Sequence, residues 1–174
     1  TYIAPLFNDY QPVPPGEVCD AVEAMAIDAG IPTNRVFMYD GSRQSNNFTA
    51  NVAGIGDAAR IAISDVAFDE ATLDEVKAVT GHEIGHYKLG HVWDGVFLTI
   101  VIVMASFFIA DKAFNPVARL FGAREDIGDP TTVPVLLFLV GVIGIFTQPM
   151  SNTLSRMNET EADHYSYEMV HLPD

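Results

Sequence analysis

The chain has 174 residues, of which 49% are hydrophobic, so it is long and apolar enough to bury the core of one domain. Twenty-three acidic residues against nine basic ones give a formal net charge of −14, which argues against a nucleic-acid partner because a basic patch is missing. The single cysteine, Cys19, excludes an internal disulfide.

The first part of the chain predicts an extended segment, a helix and a small sheet. It begins with Thr1 and has no signal-peptide pattern, so we interpret it as a piece of a longer protein. Four prolines predict that residues 1–16 form an extended strap, and an apolar stripe predicts a helix over residues 17–29. Three short apolar stretches predict a small antiparallel sheet: residues 35–39, 48–55 and 60–64.

A zinc-binding motif follows the predicted sheet. In His82-Glu83-Ile84-Gly85-His86 the two histidines are four residues apart, so on a helix both imidazoles project from one face and can bind one ion. Thr72 and Glu75 form a capping-box pattern that predicts where this helix begins, and we expect it to end near Trp93. In zinc hydrolases the glutamate of this motif is the general base, which makes Glu83 the predicted base.

Two long uncharged runs lie beyond the motif. Residues 95–110 and 131–155 contain no charged side chain. A bilayer core takes about 20 apolar residues, so each run is of borderline length for a membrane span. We favour a transmembrane hairpin of residues 95–110 and 131–148 over two buried core helices, because so small a domain could hardly bury both. Basic residues flank the hairpin equally at its two ends, so charge does not orient it.

A third metal ligand is needed, because catalytic zinc generally takes three protein ligands. The extended form of the motif requires a glycine at position 89 and a histidine at position 92, where the chain has Leu89 and Val92. A carboxylate on a second helix remains. Glu159 and Asp163 are four residues apart and share a face, whereas Glu161 is rotated about 200° from Glu159. One of the pair can bind zinc and the other can hold a ligand histidine, and spacing alone leaves open which.

Three segments together match one known pattern. They are Ile3-Ala-Pro-Leu-Phe7 followed by Pro14-Pro-Gly16, the run from Gly81 to His91, and Ser155-Arg156 followed by Glu159-x-x-Ala162-Asp163. This pattern resembles the type-1 CaaX prenyl proteases and the related heat-shock-induced membrane proteases. The resemblance implies that Glu159 is the third zinc ligand and that Asp163 is the residue supporting the site. It also implies an integral, multi-pass membrane protein whose active site faces the cytoplasm.

We therefore predict an α+β fold, with a zincin-like small antiparallel sheet, the motif helix and a two-helix transmembrane hairpin. The predicted parts are residues 1–92 with the strap, sheet and motif helix, residues 93–150 with the hairpin, and residues 151–174 with the third ligand. All three belong to one catalytic domain.

The predicted activity is that of a membrane-embedded, zinc-dependent, CaaX-protease-like endopeptidase. His82, His86 and Glu159 would bind Zn²⁺, and Glu83 and Asp163 would be the catalytic residues. The partners would be the lipid bilayer and a peptide or protein substrate, which we expect to add as a strand along residues 48–55. The alternatives are a membrane-protein quality-control protease, a non-catalytic zinc-binding membrane scaffold and a soluble zinc peptidase. We interpret His91, His164 and His171 as surface or supporting histidines, with His91 also part of the family motif.

Overall fold

The computed structural model of the chain describes residues 8–54, 56–69 and 71–171. Residues 3–7 of the resemblance therefore lie outside the described residues. The chain forms two compact units, one of Thr1–His91 with Asn158–Asp174 and the other of Val92–Met157. The division into three parts at residues 92 and 150 stays a prediction.

The described helices and strands follow the predicted order. The strands are β1 (Tyr10–Pro12), β2 (Val36–Tyr39), β3 (Ala50–Ala53) and β4 (Arg60–Ser64). The α-helices are α1 (Glu17–Asp28), α2 (Val66–Asp69), α3 (Leu73–Leu89), α4 (His91–Leu120) and α5 (Val133–His171).

The sheet has the order β1-β2-β4-β3, with β1 antiparallel to β2 and β3 antiparallel to β4. The prediction that it is wholly antiparallel is wrong, because β2 and β4 are parallel. After β2 the chain leaves room for β4 and forms β3 on the far side of it. The chain then reverses direction between β3 and β4, so β4 runs in the same direction as β2. Part of the expected strap is β1, whose Pro12 is tolerated because β1 is an edge strand.

The motif helix α3 begins as predicted. Its Thr72 backbone N–H donates to the Glu75 carboxylate at 2.8 Å, and the Glu75 N–H donates to the Thr72 hydroxyl at 3.3 Å, so the capping box is formed. The helix ends at Leu89 and not near Trp93, because Gly90 takes a left-handed conformation with φ of 77°. His91 then begins α4.

The core of the first unit lies between the sheet and the helices α1 and α3. Its fully buried side chains include Val22 on α1, Ile61 and Ile63 on β4, and Val76 and Ile84 on α3. Because residues two apart on a helix point to nearly opposite sides, burial of Ile84 turns the histidines on either side of it away from the core.

The second unit is an antiparallel pair of helices. Phe114 and Ala118 near the end of α4 are buried against Val135 and Leu139 near the start of α5. Residues at the start of α4 line a groove with residues 149–157 of α5. Both helices are long and apolar enough to cross a membrane, and their outer apolar side chains are exposed.

The helices of this pair are longer than the apolar runs that predict them. The expected connection over residues 111–130 is helical as far as Leu120, and the left-handed Gly122 follows, with φ of 68°. Lysine and arginine, which occur here as Lys112 and Arg119, are good helix formers, so a charge boundary does not mark the end of the helix. The predicted α+β class, with a small sheet, a motif helix and a helical hairpin, is confirmed.

Candidate metal centre

Two glycines of α3 allow the last part of α5 to pack close to the motif. A Cβ atom on Gly85 would lie 3.1 Å from the Cα of Ala162, and one on Gly81 would lie 2.9 Å from the Ser166 hydroxyl. That hydroxyl donates to the Ala78 carbonyl at 2.7 Å. The two close approaches are about one helical turn apart on each helix, and they hold the backbone of α5 against α3, which brings the acidic stretch of α5 to the two histidines.

Three potential metal-binding side chains meet where the helices touch. The ligand atoms of His82, His86 and Glu159 all lie within 4.8 Å of one another. The two Nε2 atoms are 3.1 Å apart, and the Glu159 oxygens lie 3.2 Å from Nε2 of His82 and 3.7 Å from Nε2 of His86. Ligands held about 2.0–2.1 Å from a tetrahedral zinc ion lie about 3.3 Å apart. The spacing of these three groups therefore fits zinc.

The hydrogen bonds on the other side of each ring favour the same conclusion. Nδ1 of His82 is 2.8 Å from Oδ1 of Asp163, and Nδ1 of His86 is 2.8 Å from Nδ1 of His91. When each neutral ring carries its proton on Nδ1, the two Nε2 lone pairs face each other and the Glu159 carboxylate. Three electron-rich groups at this distance repel one another unless a cation lies between them.

Burial shifts the pKa of two titratable groups at the motif. It lowers the pKa of His86 below its ordinary value, with a further lowering by the neighbouring His82, and so favours the unprotonated ring that can bind a metal. It also raises the pKa of the half-buried Glu83 carboxyl, with a contribution from Glu159, in the direction that suits a general base. Two neighbours partly offset this rise in the pKa of Glu83: the ring of His82, and the backbone N–H of Val52 on β3, which donates to the Glu83 carboxylate.

The predicted site residues come together around α3 and α5, but two contacts were not anticipated. His91 is buried, with only 4% of its side chain exposed, and lies between His86 and Glu161. Its Nε2 is 3.2 Å from Oε2 of Glu161. The sequence argument used helical phase to exclude Glu161 as a metal ligand, and it made no prediction of what Glu161 contacts. Gly90 is the sequence feature that could have predicted the contact of His91 with the motif. A glycine that ends a helix lets the chain turn, and the histidine directly after it can then point back towards that helix.

Comparisons with known proteins point to one family of peptidases. The model of "Peptidase family M48" matches residues 12–174. An "Uncharacterized metalloprotease YhfN" of Bacillus subtilis is 32% identical over 97% of this chain and 40% of its own length. A "CAAX prenyl protease 1" of Saccharomyces cerevisiae is 34% identical over 95% of this chain and 40% of its own length.

A solved structure shares the fold. The crystal structure of Ste24p from S. mikatae matches 97% of this chain with a TM-score of 0.77, at 23% identity and over 43% of that protein. The chain therefore spans about two fifths of the length of the curated relatives and of the solved structure that it matches.

Proposed function

We propose, from the premise that this chain belongs to peptidase family M48, that it carries the catalytic residues of a zinc-dependent, membrane-embedded endopeptidase. The observation that carries the proposal is the convergence of His82, His86 and Glu159 within 4.8 Å. Two imidazoles and a carboxylate are a ligand set of catalytic zinc peptidases, which keep one coordination position open. A bound zinc ion supplies a Lewis acid that polarises the scissile carbonyl.

Glu83 is the proposed general base. It stands between the two histidine ligands in the motif, is half buried, and its pKa is raised mainly by burial. A carboxylate tuned towards the working pH takes a proton from the attacking water and passes it to the leaving amine. A purely structural site would have no use for such a base, so Glu83 argues against the non-catalytic scaffold.

The substrate peptide would bind along β3. Among the described residues this strand has a neighbouring strand on one side only, because β3 stands at the end of the order β1-β2-β4-β3. The N–H of Val52 on β3 points to the Glu83 carboxylate, so the base lies beside this strand. An extended peptide added to such an edge gains main-chain hydrogen bonds with the strand. Its scissile bond would then lie near the Glu83 carboxylate.

The substrate class is proposed from the relatives. Several of them are named CAAX prenyl proteases, and we extend that specificity to the full protein. A farnesylated peptide that ends in a CaaX sequence should be cleaved faster than the same peptide without the farnesyl group. Equal rates on both peptides would contradict this part of the proposal and leave the peptidase activity untouched.

The pair α4 and α5 would cross the membrane. Phe107 and Phe146 lie within the two apolar runs and are 75% and 72% exposed, so neither run is a buried core of the described chain. Large apolar side chains that are exposed along a whole helix are typical of contact with lipid or with another apolar partner. The two uncharged runs lie within helices, which satisfy their backbone groups internally, and this is the requirement for a membrane span. The cytoplasmic side for the active site is proposed on the resemblance alone.

The decisive experiment compares full-length wild type with Glu83→Gln. Glutamine has the same size but cannot take the proton, so we expect hydrolysis to be abolished while zinc content, measured by atomic absorption, stays at the wild-type level. His82→Ala should lose both. Removal of zinc with a chelator should stop the wild type, and added zinc should restore it. Equal peptidase activity in Glu83→Gln and wild type would refute the proposal.

A further inference from the structure

We propose that His91 and Glu161 are positioning residues for the metal ligand His86. They would hold its ring in the orientation and protonation that leave Nε2 free for the metal. The inference rests on the proposed zinc site, because His91 and Glu161 form a row of hydrogen bonds that ends at His86, one of the proposed zinc ligands.

The geometry places three side chains in a row. Nδ1 of His86 is 2.8 Å from Nδ1 of His91, and Nε2 of His91 is 3.2 Å from Oε2 of Glu161. The two imidazole planes stand at 77° with centroids 5.0 Å apart, so the rings meet edge to face and not as a stack. Gly90 brings His91 into this position, since its left-handed turn separates α3 from α4.

Only one arrangement of protons suits metal binding. A neutral His86 that binds through Nε2 carries its proton on Nδ1, so it must donate to Nδ1 of His91. His91 then carries its own proton on Nε2 and donates it to Glu161. A carboxylate can only accept, so the ionised Glu161 fixes the direction of both hydrogen bonds and the tautomer of both rings.

The two histidine ligands are thereby supported in parallel ways. His82 donates directly to the Asp163 carboxylate, whereas His86 reaches a carboxylate through His91. Support of this kind orients a ligand ring and raises its basicity. Burial of His91 is consistent with such a role, because a buried polar ring is costly unless both of its nitrogens are paired.

The test compares two nearly isosteric replacements of His91 in the full-length protein. In His91→Asn the side-chain oxygen can still accept from Nδ1 of His86, whereas His91→Leu offers no acceptor. We expect His91→Leu to weaken zinc affinity, measured by chelator competition, on the order of 10- to 100-fold, and His91→Asn to weaken it less. If His91 served packing alone, the apolar leucine would be tolerated at least as well as the asparagine.

Glu161 is tested against a matched carboxylate on the same helix. Glu161→Gln removes the charge that fixes the direction of the two hydrogen bonds, so zinc affinity should fall. Glu168→Gln changes an exposed carboxylate, and its zinc affinity should equal that of the wild type. Thermal unfolding of each protein without metal checks that the variants fold. Because Glu161 is 58% exposed, we expect its replacement to leave that metal-free Tm unchanged.

The outcomes separate this inference from the proposed function. Equal zinc affinity in His91→Asn and His91→Leu, or in Glu161→Gln and Glu168→Gln, would overturn the positioning role alone. A wild-type protein that binds zinc but cleaves no peptide would overturn the proposed function alone. A wild-type protein that binds no zinc would overturn both.

Discussion

At the residue scale, the site depends on which nitrogen of each histidine carries a proton. The Nδ1 atoms of His82 and His86 each face a hydrogen-bond partner, so their Nε2 atoms face the common point with Glu159. Spacing in the sequence put the two rings on one face of a helix, but it did not say which ring nitrogens would converge.

Glu159 and Asp163 make different contacts, and this predicts an order of effects. Glu159→Ala removes a proposed ligand and should reduce zinc occupancy severely. Asp163→Ala removes only the partner of Nδ1 of His82, so zinc affinity should fall on the order of 10- to 100-fold. Glu168→Ala is the control on the same helix. Metal titration of the three variants checks the order, and stronger loss in Asp163→Ala than in Glu159→Ala would contradict the ligand assignment.

At the element scale, the metal centre requires close contact between α3 and α5. Its proposed ligands come from both helices, and no side chain at position 85 separates Gly85 from the backbone of Ala162. Glycine weakens a helix interior by about 1 kcal/mol relative to alanine, so its presence in the motif has a packing reason. The close approach brings Glu159 within reach of both histidines.

Gly85→Val tests this contact. Its Cβ alone would lie 3.1 Å from the Cα of Ala162, and the added methyl groups should force α5 outward, so overpacking should cost about 1–3 kcal/mol of stability. We expect a lower Tm and weaker zinc binding. Gly95→Val introduces the same side chain into a helix where the Cβ meets nothing within 4 Å, and it should bind zinc as the wild type does. Unchanged zinc affinity in Gly85→Val would show that the close approach is dispensable.

At the scale of the whole molecule, the proposed membrane crossings are constrained by the zinc ligands. Two crossings between His86 and Glu159 return the chain to the side that it left. A single crossing would separate the ligands by about 30 Å of hydrocarbon. An even number of spans is therefore required if both segments bind one ion.

Single cysteines test this topology in sealed vesicles. After replacement of Cys19, the exposed positions Glu125, between the two helices, and Glu168, at the end of α5, are changed to cysteine one at a time. A membrane-impermeant thiol reagent should label only one of the two from a given side. Labelling of both from the same side would contradict the hairpin, and extraction of the protein by alkaline carbonate would contradict insertion.

The sequence by itself determined the features that act within one segment. The capping box of Thr72 and Glu75 began the motif helix, the spacing of His82 and His86 put two proposed ligands on one face, and two uncharged runs marked the helical hairpin. These depend on helix geometry and solvation over a few turns, which neighbouring residues decide. The third ligand needed a second segment, and its assignment came from a family resemblance and not from spacing.

Only the tertiary structure decided how distant segments meet. The parallel pairing of β2 with β4 follows from the path of the chain between them, which no local pattern specifies. The contact of His91 with Glu161 joins residues 70 positions apart, and it forms because Gly90 ends α3 and Gly85 admits the backbone of α5. Helical phase relates residues on one helix to each other but not to a neighbouring helix, so the partner of Glu161 emerged only when the two helices were packed together.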